Sequence, residues 1–299
     1  MTALPPRLGR LGRSVSNLWI GRRRRADPAA LAAVARRRPA IVITGASAGI
    51  GRALAIELAR RVEAVVLVAR RQAPLDEVAQ EIRARSTAVV VTLALDLTRP
   101  DAAAVIEAAA SAAGLYVDEL VNNAGMGLSG AFVGQPADAI DGLVALNVAV
   151  PTRLMRHFLP AMLERGRGGL LNVASLGGYA PGPYQAAYYA SKAHVIALTR
   201  AVAWEERGRG VRIAVVAPGP VETGFHAAMQ AERSLYRLLI PAPSASAVAR
   251  STVRGYDWGC AAIHPGLLAT PAAMFLSVMP RLLLLPLIAG LLWPRRSAG

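Results

Sequence analysis

The sequence predicts an α/β protein with a doubly wound parallel sheet in a single domain, a basic N-terminal extension and an apolar C-terminal tail. Three observations carry this prediction. Short apolar runs recur without polar alternation, longer helical stretches separate them, and a glycine-rich turn joins the first run to the first helix. Strands that are apolar on both faces need helices on both faces, and a parallel sheet supplies that arrangement.

The elements follow in chain order. Residues 1–38 form the extension, where ten arginines, with clusters at Arg22–Arg25 and Arg36–Arg38, face one acid, Asp27. A signal peptide needs an apolar stretch after its basic start, and Ala26-Asp27-Pro28 follows instead. A solvated tail and an Arg-rich targeting segment are the two readings left. The domain proper spans 39–265. Its apolar runs are Ile41–Thr44, Ala64–Ala69, Ala88–Leu95, Leu120–Val121, Gly169–Ala174 and Val211–Ala217. The helical stretches include Gly51–Arg61, Asp101–Ala113, Ala137–Glu164 and Tyr188–Glu206.

The tail, 266–299, has prolines at 271, 280, 286 and 294, and its only charges are Arg281, Arg295 and Arg296. The densest apolar run, Leu282–Trp293, is 12 residues, against the roughly 20 that span a bilayer. A buried lid, a dimer-forming helix and a membrane-surface segment are the three roles such a tail can fill.

A net charge of +15, from 34 basic and 19 acidic side chains, first suggests nucleic acid as a partner. Its location weakens that reading. Residues 1–38 contribute +9, residues 266–299 contribute +3, and the 227 residues between them contribute only +3. The 54% hydrophobic content excludes a disordered chain, and the single Cys260 excludes an internal disulfide. His157, His194, His226 and His264 lie far apart without metal-ligand spacing, so no metal site is expected. Gly-x-Ser-x-Gly hydrolase spacing is absent.

Ile41-Val42-Ile43-Thr44-Gly45-Ala46-Ser47-Ala48-Gly49-Ile50-Gly51 reads as a buried strand, a tight turn and a helix start. Glycines at 45, 49 and 51 let the backbone approach a pyrophosphate, and the helix N-terminus offers it unpaired N–H groups. The pattern therefore predicts a Rossmann-type dinucleotide site that includes Thr44, Gly45, Ser47, Gly49, Ile50 and Gly51. The next strand ends Val68-Ala69-Arg70-Arg71. A carboxylate there would accept from a ribose diol, whereas guanidinium groups pair with a 2′-phosphate, so Arg70 and Arg71 favour NADP over NAD.

Tyr188 and Lys192 stand four residues apart, on one face of a helix. A nearby ammonium favours a phenolate, which would bring tyrosine toward acid–base work at neutral pH. Lys192 is the only lysine among 34 basic residues, and this role gives it a reason to exist. Ser175 follows the strand ending at Ala174 and so lies at the carboxyl edge of the sheet, where it could hold a carbonyl oxygen.

With these residues in place, the chain resembles the classical short-chain dehydrogenase/reductase family. The resemblance rests on Thr44-Gly45-x-x-x-Gly49-x-Gly51, Asp96, Asn122-Asn123-Ala124-Gly125, Asn147, Ser175, Tyr188-x-x-x-Lys192 and Pro218-Gly219. It implies an oxidoreductase that moves a hydride between nicotinamide C4 and a substrate carbon. It makes Tyr188 the acid in reduction and the base in oxidation. Lys192 would lower the Tyr188 pKa and hold the nicotinamide ribose, Ser175 would orient the carbonyl, and Asn147 would anchor a water leading to Lys192. Cofactor contacts are implied for Asp96 (adenine), Asn123, Ala124 and Gly125, Pro218 and Gly219, and Val221 with Thr223 (carboxamide). A homodimer or homotetramer in the cytoplasm is expected, with the tail as the point of any membrane contact.

Val62-Glu63 departs from the small glycine turn frequent in the family. The ending through Ala261–Gly266 into an apolar tail is more like members that act on lipophilic carbonyls. Phe225, Met229, Leu235, Leu238, Leu239 and Ile240 read as a hydrophobic lid over Met126–Phe132 and Leu176–Gln185. The alternative class is a membrane- or nucleic-acid-associated binding protein that keeps the scaffold with little catalysis.

Overall fold

The computed structural model describes residues 26–225, 229, 235–236 and 242–293. The Arg22–Arg25 cluster, His226, Leu238, Leu239, Ile240, Arg295 and Arg296 lie outside the described residues.

Among the described residues, seven strands form one parallel sheet: β1 (Arg38–Thr44), β2 (Ala64–Ala69), β3 (Val89–Ala94), β4 (Leu115–Asn122), β5 (Gly168–Val173), β6 (Val211–Val216) and β7 (Ala262–Ile263). Their spatial order is β3-β2-β1-β4-β5-β6-β7. The chain reverses its direction of travel across the sheet between β1 and β4, and open α/β sheets bind ligands at that switch point. The helices are α1 (Pro28–Ala32), α2 (Gly49–Ala59), α3 (Gln72–Arg83), α4 (Ala102–Ala112), α5 (Ala137–Val144), α6 (Val150–Arg165), α7 (Ala186–Glu205), α8 (Ala245–Asp257), α9 (Ala269–Val278) and α10 (Arg281–Leu292).

Successive strand side chains point to opposite faces, so each strand feeds two helical layers. Ile41, Ile43, Val65 and Leu67 join Leu54 and Leu58 of α2 and Leu75 and Ile82 of α3. Ala40, Val42 and Val66 join Ile106 of α4 and Leu154 and Phe158 of α6 on the other face. Every residue of β2 is buried for this reason, and the apolar runs show no alternation.

Several expected boundaries shift. Described structure begins inside the expected extension: the Asp27 amide donates to the Glu164 carbonyl (2.8 Å), Asp27 caps α1, and Arg38 opens β1. β4 has eight residues rather than the two-residue apolar run. Its acids are held by arginines, Asp118 by Arg167 (3.1 Å) and Glu119 by Arg212, so they break the sequence pattern without breaking the strand. The helix expected over Ala137–Glu164 is split by a π turn at Ala145–Ala149 ahead of Pro151. Val62 packs on the core in the turn before β2, so the departure there leaves the strand intact.

The tail folds as α9 and α10. Leu284, Ile288 and Leu292, four residues apart, form the buried stripe of α10 and pack on Ala180, with Tyr189, Tyr236 and Leu276 around them. At about 2 kcal/mol per fully buried leucine or isoleucine, that stripe anchors the tail to the domain. Among the described residues, no helix is long and apolar enough to cross a membrane.

Candidate active site

The site lies along the carboxyl edges of β1, β4 and β5. Thr44 ends β1 with no exposed surface, and its hydroxyl donates to the Val121 carbonyl (3.2 Å). The same oxygen accepts the amides of Asn123 (2.9 Å) and Ala124 (3.1 Å). The Asn123 amide nitrogen donates to the carbonyls of Thr44 (3.0 Å) and Gly45 (3.2 Å). Thr44 and Asn123, expected at the cofactor, also lash β1 to β4 and shape the turn.

That turn leaves no room for side chains. A Cβ on Gly51 would lie 2.2 Å from the Gly45 carbonyl oxygen, and Gly45 (φ +65°) and Gly49 (φ +54°) take a backbone region that L side chains rarely adopt. A Cβ on Gly49 would also approach the Thr223 methyl at 3.2 Å, which sets Thr223 against the turn. The N-terminus of α2 behind it has no side-chain cap, so its first N–H groups face the turn. A closely approaching, uncapped helix start fits a pyrophosphate. Ser47 and Ile50 are half-buried in the same turn.

Arg70 and Arg71 are exposed at the end of β2 and, among the described residues, join no ion pair. Asp96, beyond β3, accepts from the Thr98 amide (2.9 Å) and hydroxyl (2.8 Å). Those bonds, with the nearby charge of Arg70, hold its carboxyl below the usual range.

The catalytic candidates converge from three elements. Ser175 follows β5, its oxygen accepts the Gly177 amide (3.1 Å), and it hydrogen-bonds the Tyr188 hydroxyl. The Leu176 amide donates to the Pro218 carbonyl (2.9 Å), which ties this turn to the segment after β6 that carries Gly219 and the buried Val221. Tyr188 and Lys192 share a face of α7, with the ammonium nitrogen 5.9 Å from the tyrosine ring centre. Lys192 Nζ donates to the Val173 carbonyl (3.0 Å).

The expected lowering of the tyrosine pKa is not what the protein alone produces. Burial pushes Tyr188 up to about 12, against a smaller opposing effect of the Ser175 hydrogen bond. Burial likewise brings Lys192 down to about 8. Removing a side chain from water penalises its charged form, and for Tyr188 that cost outweighs the Ser175 hydrogen bond.

Asn147 lies in the π turn, a helix irregularity frequent at functional sites. Its Oδ1 accepts the Met126 amide (2.9 Å), while its Nδ2 donates to the Met126 carbonyl (2.8 Å) and to Ser191 Oγ (3.0 Å). The side chain is therefore committed to protein partners. Pro151 has no N–H, so the α-helical donor that the Asn147 carbonyl would take at that position is absent. Gly125 separates Asn147 from Lys192, since a Cβ there would lie 3.2 Å from Asn147 Oδ1 and 3.4 Å from Lys192 Nζ.

Apolar groups close the far side. The Phe225 ring centre lies 5.6 Å from that of Tyr188, and a Cβ on Gly127 would meet the Met229 thioether at 3.0 Å and Phe225 at 3.1 Å. Sequence reasoning missed Tyr236, which lies close enough to help keep Tyr188 neutral. It also missed the ring contact between Tyr184 and Trp293 (5.0 Å). Tyr184 is the one non-glycine residue with positive φ (64°) among those described, and its carbonyl accepts the Gly130 amide (2.8 Å). Neither residue sits in a motif; only the fold brings the tail to the start of α7. Tyr179 meets His264 at 2.8 Å beside this tail.

Comparison with known proteins fits this arrangement. The family profile described as short chain dehydrogenase matches residues 39–234. An uncharacterized short-chain type dehydrogenase/reductase of Sinorhizobium fredii is 37% identical over 186 residues, covering 62% of this chain and 71% of that one. The very-long-chain 3-oxoacyl-CoA reductase of Bos taurus is 36% identical over 186 residues, covering 61% and 59%. Among solved structures, a short-chain dehydrogenase from Sphingobium yanoikuyae in complex with NADPH has a TM-score of 0.72 at 31% identity, covering 87% of this chain and 97% of its own. A bulky-bulky ketone specific alcohol dehydrogenase from Comamonas testosteroni has a TM-score of 0.66 at 30% identity, covering 87% and 96%. With its glycine turn, its Ser175, Tyr188 and Lys192 cluster and these likenesses, the chain belongs to the short-chain dehydrogenase/reductase family and is an NAD(P)-dependent oxidoreductase.

Proposed function

We propose that the protein interconverts a carbonyl and a secondary alcohol on a lipophilic substrate, with NADP(H) as the preferred coenzyme. The observation that carries this reading is the convergence of Ser175, Tyr188 and Lys192 beneath an apolar cap. When bound, the nicotinamide supplies or accepts the hydride. In reduction, Ser175 donates a hydrogen bond to the substrate oxygen and Tyr188 transfers its proton to that oxygen. Lys192 then faces the phenolate, and its ammonium offsets the charge that burial penalises. A raised Tyr188 pKa keeps the acid loaded until the oxygen gains negative charge. Asn147, in the π turn close to Lys192, is the residue that would anchor a water returning the proton to it.

Arg70 and Arg71 support the 2′-phosphate preference, because two guanidinium groups, in no ion pair among the described residues, stand where a ribose-binding acid would otherwise be. The bound NADPH of the Sphingobium enzyme supports the same choice. The ketone named for the Comamonas enzyme and the acyl substrate named for the bovine relative support a bulky or long apolar substrate. Division of the chain into an extension, a catalytic domain over 39–265 and a tail, a cytoplasmic site of action and a homo-oligomeric state belong to this same reading.

The test is NADPH oxidation by the purified chain against a panel of aldehydes and apolar ketones, beside Tyr188→Phe. Turnover in the variant should fall about 100-fold or more, the scale of acid–base catalysis. Near-normal turnover would remove Tyr188 from the chemistry, and inactivity of the wild type on every carbonyl would favour the binding-protein alternative.

A further inference from the structure

The helices of the tail are apolar on both sides. Inwardly, α10 buries Leu284, Ile288 and Leu292. Outwardly, the pair exposes Met274 (65%), Val278 (79%), Leu282 (88%) and Leu283 (66%), and Trp293 (55%) ends the helix. A surface helix normally turns charged and polar residues to water, whereas one that is apolar all round is covered by something. Residues 258–299 contain no acid; their charges are Arg281, Arg295 and Arg296.

Charge decides between the two coverings. A symmetric contact with a second copy would set Arg281 and the cationic chain end of each protomer against those of the other, with no acid in the segment to offset them. An anionic lipid surface complements the same set: leucine and valine side chains enter the acyl boundary, arginines meet phosphates, and a tryptophan sits at headgroup level. Geometry agrees, because a helix of 12 residues is only about 18 Å long and lies in the plane of a bilayer. Beside the exposed leucines opens a groove of about 430 Å³, walled by Pro181, Tyr189, Ala193 and Leu285, with Arg281 as the only charged residue along its lining among the described residues. Apolar walls with one guanidinium suit an acyl chain and its phosphate.

We infer that the outer face of α9 and α10 docks on an anionic phospholipid surface. The inner face of α10 packs around Tyr189 and Tyr236, so the lipid would lie directly over the cap of the site. Taken with the proposed carbonyl chemistry, on which this last point rests, an apolar substrate dissolved in the bilayer would reach Tyr188 without crossing bulk water.

The experiment is sedimentation of the full chain with phosphatidylcholine vesicles prepared with and without phosphatidylglycerol, paired with light scattering for mass. The wild type should sediment with the anionic vesicles, more weakly at high salt. Leu282→Glu combined with Leu283→Glu should cut that binding about tenfold or more, and Arg281→Gln several-fold. Val278→Glu, on the neighbouring helix, provides the same reading should the double variant fail to fold. Wild-type protein that ignores the vesicles, or glutamate variants that bind as well as wild type, would overturn the inference. So would a double variant that changes only the mass of the protein, since the face would then be an interface between copies. Binding is read without turnover, and NADPH oxidation with a short water-soluble ketone is measured separately, so failure of one reading leaves the other standing.

Discussion

At the β1 end of the site, geometry is fixed by hydrogen bonds and close backbone approach; at the α10 end, apolar packing is the main contact shown among the described residues. Thr44 and Asn123 join two strands through five bonds that each have one correct length and direction. Leu284, Ile288 and Leu292 instead fill space, and other apolar side chains of similar volume could replace them. The first kind of contact suits a ligand of fixed shape, a dinucleotide. The second suits substrates that share apolarity more than outline.

The comparison predicts unequal sensitivity to mutation. Gly51→Ala strikes the bonded end, where a methyl would stand 2.2 Å from the Gly45 carbonyl and 2.3 Å from the Asn123 amide. It should cost about 3 kcal/mol of stability and weaken NADPH binding about tenfold or more, read by thermal melting and fluorescence titration. An alanine tolerated without either change would mean that the turn is looser than its hydrogen bonds require. Arg70→Asp with Arg71→Ile comes next. Losing charge-assisted bonds of about 1.5–3 kcal/mol should lower the preference for NADPH over NADH by about 10- to 100-fold, measured as the ratio of kcat/KM values. An unchanged ratio would remove both arginines from the phosphate site.

At the packed end, Ile288→Ala should cost about 2–4 kcal/mol in the cap. Its kinetic mark is a raised KM for a bulky ketone with an unaltered NADPH Kd, so a parallel loss of both would erase the distinction between the two ends. The smallest effect is electrostatic. Lys192 is held near 8 in the folded, cofactor-free protein against 10.5 in the unfolded chain, so above pH 8 the unfolded chain binds the extra proton. Stability from this group is therefore lowest below about pH 8 and rises toward pH 10. Melting temperatures of wild type minus Lys192→Met should climb across that window. Above about pH 10.5 the difference should level off, because Lys192 is then neutral in both the folded and the unfolded chain.

Much of this was readable in the residues, and the limits are physical. β2 was legible to its ends because burial on both faces leaves an unbroken apolar run. β4 was not, since Asp118 and Glu119 are tolerated by arginines that lie far away in the chain. The split of the helix expected over Ala137–Glu164 could have been anticipated from Pro151, which cannot donate within a regular helix. Nothing local marks Ala262–Ile263 as a strand, because two residues carry no period.

The sequence by itself determined the parallel α/β class, the phosphate turn and the four-residue spacing of Tyr188 and Lys192, since each depends on neighbours within a few positions. Tertiary structure alone decided three things. It joined Thr44 and Asn123 into the bonds that tie β1 to β4, because their partners lie far away in the chain. It set the sign of the tyrosine shift, because burial is a property of all the elements packed around a group. And it gave the tail two apolar faces, one pressed on the site and one exposed, which a run of leucines cannot reveal until a fold supplies its inside.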